Sequence, residues 1–338
     1  MSDRVNGAGA ANRRIGMARG AAAVGLALLS ACSSSVSPEP GVSSPRELDA
    51  PPESMRYLGQ PPPGETPQSF APGIVNTEAV ELNAVFAPDG RELLFSRQVD
   101  GVATIFVCRF EQGAWSAPRP LSLFPARAHA LAVDMTMSQD GEQLLFTGQH
   151  PHELAREKPG LDLWLSRRSG GAWSTASVVP APVSTEFDEI YPVFVADGSV
   201  YFSSNRPGGL GSASLYRAQR LRDGSFGDPQ LLPRPINDEA GIGDSFIDPA
   251  ERWIVFSSRR APSQGRGDLF VSFRAADGEW GEPRSLGPSI NTAEHEYCPM
   301  LSPDGRFLFF SRRYGATRET TTGGDVFWVD ARVIERLR

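Results

Sequence analysis

One turn recurs five times along the chain, as Ala87-Pro88-Asp89-Gly90, Ser138-Gln139-Asp140-Gly141, Val195-Ala196-Asp197-Gly198, Asp248-Pro249-Ala250-Glu251 and Ser302-Pro303-Asp304-Gly305. The closing residues of successive turns lie 51, 57, 53 and 54 positions apart. A period of that size marks one supersecondary unit copied along the sequence, the signature of propellers and solenoids. A repeat array grows by copying, so 338 residues are read here as one repeat domain rather than as two or three unrelated ones.

Each copy carries four strand signals. An apolar run such as Ala84-Val85-Phe86 enters the turn, where Gly takes the positive-φ position of a tight hairpin. The second run leaves it: Leu93-Leu94-Phe95, Leu144-Leu145-Phe146, Val200-Tyr201-Phe202, Ile254-Val255-Phe256 and Phe307-Leu308-Phe309-Phe310. Unbroken apolar runs of this length imply burial on both faces, as in stacked blades. The third begins with a small polar or acidic residue (Asp162-Leu163-Trp164, Asp268-Leu269-Phe270, Asp325-Val326-Phe327), and the fourth opens with Gly and an aromatic, then Pro118, Pro229 or Pro283. Proline suits an edge strand, where a propeller places its outermost strand.

The two ends of the array decide between an open and a closed form. The fifth copy stops after its third strand, at Asp325 to Asp330, while Glu65 to Ile74 repeats the pattern of the fourth-strand segment Glu282 to Ile290. Both lead into Asn-Thr (Asn76-Thr77, Asn291-Thr292) and a Glu four residues past the Thr. The expectation is an all-β, five-bladed propeller over 65–338, closed by an N-terminal strand that completes the last blade.

Arg4, Arg13, Arg14 and Arg19 precede an apolar run from Ala21 to Leu29 that is too short to span a bilayer. Residues 1–31 thus read as a signal peptide. Its end, Leu29-Ser30-Ala31-Cys32, resembles the bacterial lipoprotein box. That resemblance implies lipidation of Cys32, export, and a membrane anchor, with Ser33 at the next position implying the outer membrane, facing the periplasm, in a Gram-negative cell. Residues 32–64, rich in Ser and Pro, are expected to form a disordered tether. Cys108 and Cys298 remain on predicted strands of blades 1 and 5; a disulfide between them is open, and buried free thiols are the expectation.

The net charge is −7, and the N-terminal 31 residues hold four Arg against one Asp, so the rest carries −10. That balance disfavours nucleic-acid binding, which depends on basic surfaces that release counterions. Lys158 is the sole lysine, for which codon bias is the plainer reading and carboxylate or phosphate recognition by planar arginine forks the functional one.

Glu189-x-x-Pro192, the run Phe202-Ser203-Ser204-Asn205-Arg206-Pro207-Gly208-Gly209-Leu210-Gly211 and the Ser-Pro-Asp-Gly turns resemble the TolB-type propeller repeat, common in bacterial envelope proteins. The resemblance covers about residues 65–330 and implies the repeat class without fixing an activity. The family's namesake has six blades and a preceding α/β domain, so its partnership with the peptidoglycan-associated lipoprotein is not carried over.

Candidate chemistry gathers where first strands begin and second strands end. Glu81, Glu189 and Glu296 stand seven residues before the turn's second residue, and blades 2 and 4 offer Asp134 and Asp244 two residues later, a shift that keeps the same strand face, so every blade is expected to point one carboxylate towards the same mouth. Second strands end in Arg97, Arg206, Arg259 and Arg312, with Thr147-Gly148-Gln149 breaking the pattern in blade 2. These nine residues are the candidate ligand-binding set, and they read equally as ion pairs fixing blade registration. His129, His150, His152 and His295 map to the same face, but their spacing matches no strong metal motif and no cofactor is called for.

The functional expectation is a monomeric, lipid-anchored binding or scaffolding module of the cell envelope, taking a protein segment or a glycan and touching membrane only through its anchor. The alternative is a glycan-active hydrolase or metal-assisted lyase with Glu189, Asp244 and Glu296 as its acids.

Overall fold

The computed structural model describes residues 50–124, 130–149, 160–315 and 320–338. They form five antiparallel sheets, one per repeat. In blade 1 the strands are Glu81–Phe86, Glu92–Val99 and Val102–Glu111, with the two short outer pieces Ala114–Trp115 and Arg119–Pro120. Blade 2 repeats this with Leu131–Met137, Gln143–Gln149 and Asp162–Ser169, and blades 3 and 4 follow with single short outer strands, Gln230–Leu231 and Arg284–Ser285. Blade 5 contains His295–Leu301, Phe307–Tyr314 and Gly323–Asp330, and its outer strand is Gln68–Ser69.

That last pairing is the ring closure expected from the sequence. Gln68 lies opposite Trp328 and Ser69 opposite Phe327. Asn76 repeats at this seam what Asn237 and Asn291 do elsewhere. Its carboxamide donates to the Val326 carbonyl at 2.7 Å and accepts from the Val326 amide at 2.8 Å. Asn237 grips Leu215 in the same two-point way, and Asn291 grips Leu269. The closing junction is therefore built like the continuous ones.

Burial follows the sequence pattern. The middle of every second strand is buried on both faces. The apolar clusters sit between neighbouring blades. Leu94 and Ile105 meet Met135 and Phe146; Leu145 and Leu163 meet Phe202 and Tyr216; Tyr201 and Leu215 meet Ile254 and Phe256. Val255 and Leu269 then meet Leu308 and Phe310, and Phe86 and Phe95 meet Phe309 and Trp328. Five interfaces between five blades leave no open end. The turns behave as read, with Gly90 at φ 70° and Gly305 at φ 72°; in blade 4 the non-glycine Glu251 adopts φ 55°.

The tether boundary lies earlier than the sequence pattern placed it. Residues 53–59 form a short 3-10 segment on blades 1 and 5. Tyr57 is buried edge-on against Phe86 and Phe307, its hydroxyl donates to Asp304 at 2.7 Å, and Trp115 Nε1 donates to the Met55 carbonyl. Proline density suggested a solvated segment, yet one aromatic with a pocket at the seam suffices to fix it. Cys108 and Cys298 are both buried free thiols. Among the described residues no helix is long and apolar enough to cross a membrane.

Candidate functional site

The five carboxylates that the sequence aligns to one mouth divide into two sets. Glu81, Glu189 and Glu296 are fully buried at the starts of the first strands of blades 1, 3 and 5. Each accepts the backbone amide and the hydroxyl of the Thr four residues earlier: Thr77, Thr185 and Thr292. Each also pairs with the arginine at the end of the second strand, Arg97 at 2.7 Å, Arg206 at 3.0 Å and Arg312 at 2.7 Å. The same guanidinium groups donate to the carbonyls of Val75, Val183 and Ile290, and lie over Phe95, Phe202 and Phe327. Every hydrogen-bonding direction of these acids points into the protein, so each Thr-Glu-Arg group clamps the loop entering its blade.

Blade 4 reaches this clamp by other residues. Ile242 takes the Glu position, and the clamping arginine is Arg260, which donates to the Pro235 and Ile236 carbonyls, lies 3.3 Å from Asp238 and covers Phe256. Arg259, the residue chosen from the sequence, points elsewhere and donates to the Arg266 carbonyl at 2.9 Å. The doubled Arg259-Arg260 made the register ambiguous. In blade 2 Ala132 and the exposed Gln149 leave the clamp out altogether.

Asp134 and Asp244 belong to the second set. All five first strands skip register within their first three residues, between Leu82 and Ala84, Val133 and Thr136, Ile190 and Val193, Ile242 and Ser245, and Tyr297 and Met300. A bulge re-aims the side chain it carries. The residues at these bulges are Asn83, Asp134, Tyr191, Asp244 and Cys298, four of them with positive φ. They bring three blades together: the Cys298 thiol donates to Asp244 Oδ1 at 2.9 Å, and Asp134 Oδ1 lies 3.4 Å from the same sulfur. The Asn83 carboxamide accepts from the Met135 amide at 2.8 Å and ties blade 1 to blade 2.

Electrostatics follow from burial. Asp244 is 5% exposed, and burial pushes its carboxyl up to about 6, with the Cys298 hydrogen bond pulling the other way. Burial, reinforced by Asp244 and Asp134, pushes the Cys298 thiol well above its usual value. The trio's donor atoms all lie within 4.8 Å, which makes it the candidate cation group among the described residues. Two carboxylates with a thiolate would suit zinc, yet a ligating sulfur must be deprotonated. As placed, the thiol donates to Asp244 Oδ1 and holds the group as a hydrogen-bonded knot, and no chemistry is derived through a metal.

Above the knot a cavity of about 420 Å³ opens, lined by residues that include Leu82, Gln98, Leu131, Gln149, Tyr191, Tyr297 and Arg313. A second hollow of about 490 Å³, lined by Asp188, Tyr191, Asn205, Ser258, Arg259, Arg266 and His295 among others, shares Tyr191 and His295 with it. His295 stacks on Tyr297 with centroids 4.9 Å apart. Burial, then Arg313, Arg266 and Arg259, lower its pKa to about 4. Arg266, Arg313, Tyr191 and Cys298 were not singled out as site residues from the sequence: Tyr191 and Cys298 align with Asp134 and Asp244 but carry no charge, and Arg266 and Arg313 stand outside the aligned acidic and basic positions. Cys32, His129, His150 and His152 lie outside the described residues.

No family model matches the chain, and no curated protein matches it. Solved structures share the propeller. A glycoside hydrolase aligns with a TM-score of 0.51 at 11% identity, over 80% of this chain and 93% of its own. TolB from Acinetobacter baumannii aligns with a TM-score of 0.45 at 13% identity, over 76% of this chain, and a putative TolB from Agrobacterium tumefaciens with 0.45 at 16%, over 70% of this chain and 71% of its own. The chain spans 59% of the length of the Acinetobacter protein. At such identities the likeness is one of fold.

Proposed function

We propose that this propeller is a binding module of the bacterial cell envelope, exported and anchored through Cys32, whose ligand seats in the paired hollows at the mouth of the channel. One observation carries the preference for binding over hydrolysis. Two of the three acids a hydrolase would draw on, Glu189 and Glu296, are fully buried and committed to their Thr and Arg partners. A glycosidase needs one carboxyl free to protonate the leaving group and a second free to attack or to activate water. Asp244 reaches the cavity, but its nearest acid, Asp134, shares the same thiol. The mouth instead offers a walled, polar recess on a rigid ring, the form of a recognition site. Export and anchoring rest on the sequence of residues 1–32.

The test is to titrate the purified mature protein with envelope glycans and peptides and to analyse the same mixtures for products. Saturable binding with every ligand recovered intact is expected. Turnover abolished by Asp244→Asn would overturn the reading in favour of a hydrolase.

A further inference from the structure

We infer that the hollow bordered by blades 3, 4 and 5 is a subsite for an acidic saccharide, in which Arg259 and Arg266 take the sugar carboxylate. This rests on the binding reading above and narrows its ligand to one class.

Several arginines elsewhere in the ring have their counter-ions within the protein: Arg109 and Arg168 share Glu92, Arg217 bridges Asp197 and Glu251, and Arg252 holds Asp248. Around this hollow three are not so paired. Among the described residues, no carboxylate oxygen lies within 4.0 Å of Arg259, Arg266 or Arg313. They are also tied to one another. Arg259 Nε donates to the Arg266 carbonyl, Arg266 Nη2 lies 3.4 Å from the Arg313 carbonyl, and His295 is paired with Arg313 across the blade 5 hairpin. Arg313 is spent on the Tyr297 hydroxyl and ring. Arg259 and Arg266 line the hollow itself, Arg259 being exposed.

A second observation singles out Arg266. Its Nε is buried and has no hydrogen-bond acceptor. Leaving such a donor unmet is costly, and the cost is greater for a charged group. That nitrogen lies out of a ligand's reach, and a carboxylate in the hollow faces the outer edges of the Arg259 and Arg266 guanidinium forks, whose planar geometry matches its two oxygens. Burial is the main cause of the lowered His295 pKa, and the three arginines add to it.

The rest of the wall points to a sugar. Asp188 is the acid present, and it is engaged by the Leu161 amide and by Asn205 Nδ2 at 3.1 Å. That amide–carboxylate pair beside the Tyr191 ring offers donors and acceptors to vicinal hydroxyls. Side chains of aliphatic character are confined to Ile190 and Ile242 and small alanines, whereas a peptide would be anchored by large apolar or aromatic residues in deep pockets.

The experiment is calorimetric titration of the full mature protein with trimers of glucuronate, galacturonate and mannuronate and with their methyl esters, which remove the charge alone, alongside polyglutamate. At least one uronate trimer is expected to bind about tenfold or more tightly than its ester, a difference of ~1.4 kcal/mol. Arg259→Gln and Arg266→Gln should each remove most of that preference. Arg259 is exposed, so its variant carries the test if Arg266→Gln folds poorly. Equal binding of acid and ester, or full preference retained in Arg259→Gln, would sink the inference while leaving the binding reading standing. So would binding of polyglutamate in place of any uronate, or binding of none of these probes. Cleavage of a bound uronate would overturn the binding reading and leave the acidic subsite intact.

Discussion

Cys298 Sγ lies 2.9 Å from Asp244 Oδ1, joining the first strands of blades 5 and 4 through a thiol hydrogen bond inside the channel. Burial at this contact keeps the carboxyl out of water and outweighs the opposing pull of the hydrogen bond itself, which gives the group a distinct pH dependence. The folded-state pKa of Asp244 is raised from 3.8 to about 6. Between those values the unfolded chain ionises while the folded one does not. Stability from this group is therefore fully present below pH 4 and lost as pH rises to about 6. Asp244→Asn should raise the melting temperature at pH 7 by the equivalent of about 1–3 kcal/mol and flatten the pH 4–6 segment of the profile. Thermal melts of both proteins across that range check it.

The Thr-Glu-Arg clamps should behave as structural ion pairs. Glu189→Gln and Glu296→Gln each leave a buried guanidinium without its counter-charge, a loss of about 3 kcal/mol by analogy with other broken buried pairs. Urea denaturation should show lower midpoints at unchanged slope. Saccharide affinity, measured well below the new midpoint, should be unaltered; a selective loss of binding would assign the clamps to the ligand instead.

Phe70 is fully buried against Phe309 and Trp328 at the seam. Phe70→Ala should cost about 3–5 kcal/mol. Because the truncation unseats the outer strand of blade 5, limited proteolysis should cut first beside Gln68–Ser69 and Gly323–Asp330. Cutting elsewhere, with the seam intact, would contradict the closure energetics.

Both described thiols should be inert in the native protein. Burial pushes Cys108 up to about 11 and Cys298 well above its usual value, and the thiolate is the reactive form. Iodoacetamide at pH 8 should label neither until denaturant is added.

Cys32→Ala should release the protein from membranes into the soluble periplasmic or extracellular fraction. Retention in the membrane pellet of fractionated cells would remove lipidation at that position as the anchor.

The architecture was legible because it is written in local chemistry repeated five times. Pro-Asp-Gly or a variant of it fixes each hairpin, double-faced apolar runs fix the stacked second strands, and the displaced fourth-strand pattern at Phe70 announces the seam. The Asn-Thr signature beside it proves to be the Asn76 grip on Val326 and the Thr77 bonds to Glu81. The mouth was less legible, since its key step is a register shift. Strand periodicity puts Asp134 on the same face as a residue two positions earlier, and the bulge carries it to the channel knot instead. Cys298 stands at the same offset from its turn as Asp134 and Asp244, and was read only as a buried thiol because no charge marked it as their counterpart. Arg259 was selected for the clamp that Arg260 occupies, and Arg266 precedes a third strand, where no repeat pattern marks it.

The seam also sets the order in which this molecule can come into being. Asn76 and Val326, which grip each other in the finished ring, are 250 residues apart in the chain. Ribosomes deliver the early partner long before the late one exists, and contacts of such separation form slowly. Blades 1 to 4 can stack as they are made, while the segment around Phe70 waits without its partner strand. A chain held incomplete in this way stays threadable until its last blade has emerged, as the export proposed above would require.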